Sequence, residues 1–350
     1  MKTEIIKIDE RNIDKSGIRY AAEVLRSGGL VAFPTETVYG LGANALNEEA
    51  VKNIFIAKGR PSDNPLIVHI ADKCDVDKLV TCIPDCAHIL MQKFWPGPIT
   101  LIMEKSDLVP LSVTAGLNTV GIRMPSNVVA YELIKEAGVP VAAPSANTSG
   151  RPSPTNAAHV IEDLYERVDV IIDAGSCSVG VESTVLDTTS SPPVILRPGG
   201  ITLEQLEEIL GQVSLDPAIL TERNGNFVPK SPGMKYKHYS PKGQVIIIEG
   251  YLHDVVSKIN ELIGEYSSKG LRVGVMSTNQ TSSGYHGAEV ISLGDRENAP
   301  EIAANLFKVL REFDEKGTDI ILAESVSSSG IGLAIMNRLN KAAGYNIIKV

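Results

Sequence analysis

Twice in its first half the chain drives a short apolar run straight into a loop of small, hydroxylated and turn-forming residues. Leu30–Phe33 empties into PTETVYGLGANA (34–45), and Val139–Ala143 into PSANTSGRPSPT (144–155). Four or five apolar residues bounded by such turns read as a buried strand. A polar loop at the end of a buried strand is where α/β sheets bind ligands. Each loop also has a plainer reading, a turn held by its own Thr, Ser, Asn and Gly. Both readings stand at this point.

A third stretch, AKGRPSDNPLIVHI (57–70), links a helical pattern over Asn47–Ile56 to a strand over Leu66–Ile70. Gly59 and Pro61 break the helix, so Lys58 and Arg60 sit where it must end. Placed there rather than in a core, either cation is expected to be replaceable without unfolding the chain. On a stiffened turn the two can converge on one anion, the planar fork of Arg beside the point charge of Lys, which suits a polyphosphate. A solvated helix C-terminus, with cations offsetting the dipole, explains them equally well.

Between these stretches, strands and helices alternate. Helices are expected at Lys15–Ser27, Pro84–Phe94, Val128–Ala137 and Asn156–Val168; strands at Ile99–Glu104, Thr119–Met124 and Val170–Asp173; and a hairpin from Ser183–Asp187 to Val194–Arg197. Thr202 and Gln205 form a capping box for a helix to Leu210. Residues 1–211 therefore read as one domain. Residues 212–243 read as a linker, yet it contains SPGMKYKHYSP (231–241), and disordered linkers are poor in aromatics. This one is expected to dock, either as a lid or as a strap. Residues 244–350 repeat the strand–helix alternation and predict a smaller, Rossmann-like α/β domain. SSSGIG (327–332) lacks a full dinucleotide fingerprint and reads as helix-entry chemistry.

Composition narrows the functions. Of 350 residues, 43% are hydrophobic and 21% charged, enough for a sizeable core. The net charge of −9 argues against coating nucleic acid by bulk electrostatics. No apolar run reaches membrane-spanning length, so a soluble cytoplasmic protein is the expectation. Cys82, Cys86 and His88 have no second ligand pair, and the cysteines read as free thiols. There is no nucleophile elbow, Walker A sequence or paired-Cys zinc pattern. What remains is a set of cations and small polar groups at strand ends: Thr35, Lys58, Arg60, His69, Arg123, Ser145, Asn147, Ser183 and Arg197. Such a set suits electrostatic stabilisation of phosphoryl or nucleotidyl transfer, and equally the simple binding of a nucleotide or an RNA end.

Lys58-x-Arg60 followed by Ser145-x-Asn147 resembles the signature of the YrdC-like threonylcarbamoyl-AMP synthases. FPTETVYGLG (33–42), GRPSDNPLIVHI (59–70), WPGPITLI (95–102), VGIRMPS (120–126), APSANTSGRPSPT (143–155), GVESTVLD (180–187) and ILRPG (195–199) look like the same family. The likeness covers Ile5 to Leu210, and the linker and α/β tail resemble the larger, two-domain members.

The resemblance implies a twisted mixed sheet with a concave cleft, followed by the Rossmann-like domain. It implies a nucleotidyltransferase that condenses L-threonine, bicarbonate (or CO2) and ATP to threonylcarbamoyl-AMP and pyrophosphate. The product would pass to a tRNA threonylcarbamoyltransferase for t6A formation at tRNA position 37, and Mg2+ would ride on the phosphates. By the same resemblance Lys58, Arg60, Ser145 and Asn147 carry the catalysis. With Ser62, Thr119, Ser153, Arg197 and Tyr236 they hold ATP, while Thr35, His69, Arg123, Ala143 and Ser183 hold threonine. No protein ligand to a metal is implied. The rival expectation is a non-catalytic RNA-binding or translation-associated module, which would bind tRNA directly with strong salt dependence.

Overall fold

The computed structural model describes residues 2–219 and 238–350. Tyr236 and most of the expected 212–243 linker and its lid fall in 220–237, outside the described residues. The chain divides into two compact units, Met1–Ser149 with Ser153–Lys235 and Gly150–Pro152 with Tyr236–Val350.

The first unit is built on β1 (Glu4–Lys7), β2 (Val31–Phe33), β3 (Gly40–Asn44), β4 (Ile67–His69), β5 (Ile99–Glu104), β6 (Thr119–Arg123), β7 (Val141–Ala142), β8 (Val170–Asp173), β9 (Thr184–Asp187), β10 (Val194–Arg197) and β11 (Ser214–Leu215). They form one mixed sheet in the order β1-β8-β2-β3-β7-β4-β6-β5-β9-β10-β11. The expected hairpin is present, with β9 antiparallel to β10.

Helix Lys15–Arg26 buries Ile18, Ala21, Ala22 and Leu25, and helix Val128–Ala137 buries Val129, Ala130, Leu133 and Ile134. These stripes at 3–4-residue spacing share one core with Val31, Phe33, Val170 and Ile172 of the sheet. Asn127 caps the second helix through Val129 N and Ala130 N, and Gly138, at φ 66°, ends it. The Thr202–Gln205 capping box forms as read.

One reading fails here. PTETVYGLGANA is not a loop throughout, because Gly40–Asn44 is β3, antiparallel to β2 with Val31 opposite Gly42. A Cβ on Gly42 would stand 2.7 Å from both the Phe33 ring and Val141. Close packing on Phe33 demands a residue without a side chain, and that removes the apolar signal by which a strand is recognised.

The second unit is a parallel sheet of β12 (Gln244–Glu249), β13 (Val273–Ser277), β14 (Glu289–Ser292), β15 (Ile320–Glu324) and β16 (Ile347–Lys349), in the order β14-β13-β15-β12-β16. Helices Leu252–Ser268, Ala299–Glu315 and Gly332–Ala343 make the crossovers, as the alternation predicts. The final short strand, β16, has no helix or strand after it among the described residues and closes one edge of the sheet. The ring of Tyr239 is docked inside this unit, stacked 5.2 Å from Phe307 with the Arg338 guanidinium 5.6 Å from its centroid.

Candidate active site

Strand register gathers most of the singled-out residues along one edge of the first sheet. On β4 and β6, which run parallel, His69 lies beside Arg123. On the other side of β4, His69 pairs with Val141 of β7, and Ala143 N donates to Ile67 O at 2.9 Å. Leu101 of β5 faces Ile122 of β6, so Thr100 comes opposite Arg123. Thr100 Oγ1 lies 2.8 Å from Ser183 Oγ, and Arg197 Nη2 and Nε donate to Ser183 Oγ and O, both at 3.1 Å. A register shift between Ile195 and Arg197 breaks the hairpin ladder at that point. Such a bulge re-aims a side chain.

The two loops lie side by side on this edge. Leu41 N donates to Pro144 O and Ala146 N to Tyr39 O, both at 2.8 Å. The ammonium of Lys58 pins the second loop by donating to Ser145 O, Asn147 O and Asn147 Oδ1. Ser145 Oγ in turn donates to Asn147 Oδ1 at 2.6 Å.

This overturns the placing of Lys58 at an exposed helix end. The helix is Glu48–Lys58, and Lys58 is 2% exposed. Its buried stripe, Val51, Ile54 and Phe55, continues at helical spacing to position 58. Gly59, at φ 59°, ends the helix directly after it. Lys58 does end the helix, but the premise that it lies outside a core is withdrawn. Arg60 points to other oxygens, Asn64 O at 3.3 Å and Pro65 O at 3.4 Å, and lies 5.9 Å from the Phe55 ring centroid.

Around Arg123 the hydroxyls form a directed chain. Arg123 Nη1 donates to Thr37 Oγ1 at 2.9 Å, Thr37 and Thr35 hydroxyls are 2.8 Å apart, and Thr35 Oγ1 donates to Val38 O at 2.7 Å. Because the proton of Thr35 goes to Val38, Thr37 is the donor in the middle link. Arg123 also forms an ion pair with Glu36, Nη2 to Oε1 at 2.7 Å. Ser153 Oγ donates to Glu182, and both are buried.

Two expected residues stand apart. Ser62 is exposed on the turn. Thr119 faces Glu104 at the far end of β6, about 13 Å along the strand from Arg123. Conversely, Glu36, Thr37, Thr100 and Glu182 were not singled out from sequence. Their signal was weak but present: each is a polar residue in or beside a strand-end motif that was otherwise small or apolar.

His69 is 4% exposed, and its Nδ1 has no hydrogen-bond partner among the described residues. Burial, and then the nearby Arg123 charge, depress its pKa from 6.5 to about 3. The imidazole is therefore neutral at working pH. An unfolded chain takes up this proton near pH 6.5 and the folded chain only near pH 3, so the contribution is complete above pH 6.5 and is lost as the pH falls toward 3. Between pH 7.5 and pH 5 the protein should lose about 2 kcal/mol more stability than His69→Gln. Urea midpoints at the two pH values check this; equal losses would place the titration elsewhere.

A family model for Sua5, YciO and YrdC proteins, described as telomere recombination, matches residues 23–199, and one described as the threonylcarbamoyl-AMP synthase C-terminal domain matches residues 201–344. The chain belongs to the Sua5/YciO/YrdC family. More specifically, it falls among the two-domain threonylcarbamoyl-AMP synthases, which are enzymes. The threonylcarbamoyl-AMP synthase of Pyrococcus abyssi is 53% identical over 99% of this chain and 100% of its own length. That of Bacillus subtilis is 51% identical over 97% of each. The crystal structure of P. abyssi Sua5 complexed with L-threonine superposes with a TM-score of 0.94 at 52% identity, over 99% of this chain and 100% of that one. Escherichia coli YciO aligns with 57% of this chain and 97% of its own, at 26% identity and a TM-score of 0.51. Among the described residues no helix is long and apolar enough to cross a membrane.

Proposed function

We propose that this chain is an L-threonylcarbamoyladenylate synthase. It condenses L-threonine, bicarbonate or CO2, and ATP to threonylcarbamoyl-AMP and pyrophosphate. The product serves a downstream tRNA threonylcarbamoyltransferase in t6A37 synthesis, in the cytoplasm. The observation that carries the reading is the division of one sheet edge into two parts: a loop pinned by a buried lysine, and a buried arginine set among hydroxyls. Support also comes from full-length likeness to a relative crystallised with L-threonine.

The chemistry fits that division. A carbamate carboxylate formed on the threonine amine has to reach the α-phosphorus of ATP. Anion approaches anion, so the task of the protein is alignment and neutralisation of charge. In this reading Lys58, Ser145, Asn147 and Arg197 serve the nucleotide, with Arg60, Ser62, Thr119, Ser153 and Tyr236 along its length. Lys58 acts by its charge and also by fixing the loop that carries Ser145 and Asn147. Thr35, His69, Arg123, Ala143 and Ser183 hold threonine. The 212–243 linker acts either as a lid that keeps water from the labile adenylate or as a strap that holds the second domain. Mg2+ arrives with ATP, held by phosphate oxygens and water rather than by a protein cage. The test is pyrophosphate release on mixing the protein with ATP, L-threonine, bicarbonate and Mg2+. Release has to stop when ATP, threonine or bicarbonate is withheld.

A further inference from the structure

The residue best placed to choose the substrate of this site is one that neither sequence reading nor resemblance singled out. Glu36 is 8% exposed and Arg123 4%. Their closest atoms, Glu36 Oε1 and Arg123 Nη2, are 2.7 Å apart. Beyond this ion pair, neither atom has a hydrogen-bond partner among the described residues. The rest of both side chains is committed. Glu36 Oε2 accepts from Ser126 N at 3.2 Å, while Arg123 gives Nη1 to Thr37 and Nε to Gly97 O at 3.4 Å. The pair therefore sets one carboxylate oxygen and one guanidinium nitrogen, joined as an ion pair, beside the Thr35–Thr37 hydroxyls and the neutral His69.

Charge balance decides what such a pair can admit. A carboxylate that took Arg123 for itself would strand Glu36 as a buried, uncompensated anion, which is strongly unfavourable. A lone cation bound to Glu36 would strand Arg123 in the same way. A zwitterion meets both demands, with its carboxylate on the guanidinium and its ammonium on the carboxylate, and the buried site is neutral when threonine is bound in that form. We propose that Glu36 receives the α-ammonium group of the substrate and, with Arg123, restricts the site to free α-amino acids. This rests on the threonine-binding reading above and adds to it the group that recognises the amine.

The test compares L-threonine with 3-hydroxybutanoate, the same skeleton without the amine, by equilibrium dialysis against the wild-type chain and Glu36→Gln. Wild type should bind threonine about thirtyfold or more tightly than the hydroxy acid. In Glu36→Gln the threonine affinity should fall until the two ligands differ by less than about fivefold. The hydroxy acid should bind the variant at least as well as wild type, because the carboxylate that competes for Arg123 is gone. If Glu36 merely holds Arg123 in position, both ligands weaken by the same factor, and that result overturns the inference while leaving the threonine site intact. A wild type that binds neither ligand overturns the threonine site and the inference together. Should Glu36→Gln fail to fold, the wild-type series and Glu36→Asp decide. Wild-type preference for threonine, retained in Glu36→Asp with its charge, supports the inference. Equal wild-type binding of both ligands, or loss of the preference in a folded Glu36→Asp, overturns it. ATP affinity, measured alongside, should not change.

Discussion

Replacing Lys58 by alanine should lower turnover by roughly a hundredfold or more and also destabilise the fold by about 3 kcal/mol. The two effects have one origin. The ammonium is buried and donates to the carbonyls of Ser145 and Asn147. Without it those oxygens, the Asn147 carbonyl buried and the Ser145 carbonyl partly buried, lose this donor, and a buried orphan is unfavourable by about 1–3 kcal/mol. The loop that carries Ser145 Oγ and Asn147 Oδ1 then loses its anchor, and the site loses a positive charge where two anions must meet. Lys58→Met isolates the packing of the apolar stem, since it keeps that stem and removes the ammonium, its charge and its hydrogen bonds together. It should recover part of the melting temperature and none of the turnover. Steady-state rates and thermal melts on both variants decide the matter. A folded Lys58→Ala with near-wild-type turnover would reduce this residue to a helix terminus.

Gly199→Ala should be comparably severe, although position 199 carries no functional group. A Cβ there would fall 2.3 Å from Glu182 O, 2.3 Å from Thr184 N and 2.4 Å from Ser183 C. All three are backbone atoms, so no side-chain rotation relieves the overlap and the Glu182–Thr184 segment has to move. That segment holds Ser183, which joins Thr100 on β5 to Arg197 on β10. The expected result is a loss of about 3 kcal/mol together with at least a tenfold loss in threonine affinity, since sub-ångström misplacement at a site is felt directly. Gly264→Ala is the control. It lies inside helix Leu252–Ser268 with nothing within 4 Å of the added carbon apart from its chain neighbours and the helix's own backbone, so it should be neutral or stabilising by up to about 1 kcal/mol. If Gly199→Ala melts and binds like wild type, the close approach is not a constraint.

How much of this was legible beforehand depended on the range of the interaction. Helices with a cap, an apolar stripe and a glycine stop, such as Val128–Ala137, could be read directly because every signal is local. The burial of Lys58 was legible as well, from its spacing to Val51, Ile54 and Phe55, but the nearby Gly59 and Pro61 drew attention to the break and away from the face. Gly40–Asn44 was misread because packing against Phe33 selects glycine, and glycine erases the strand signal. The short edge strands Glu4–Lys7 and Ile347–Lys349 contain too few residues to show a period.

For the site, local reading found residue types at strand ends but could not pair them. Arg123 was visible as a cation in a strand. Its partner Glu36 is 87 residues earlier, and only the order of strands in the sheet brings them within 2.7 Å. Thr100 and Ser183, 83 residues apart, meet for the same reason. Ser62 and Thr119 came from resemblance alone, and neither shares the hydrogen-bonded edge on which the others lie.

The most direct test of the central claim follows the carbon. The full chain is incubated with ATP, L-threonine, Mg2+ and 13C-labelled bicarbonate, and the nucleotide products are weighed by mass spectrometry under conditions that preserve an adenylate. The account predicts an AMP conjugate that contains threonine and one labelled carbon, appearing with pyrophosphate. A threonine–AMP conjugate without the label, or no threonine-dependent adenylate from a chain that binds both ATP and threonine, would contradict it.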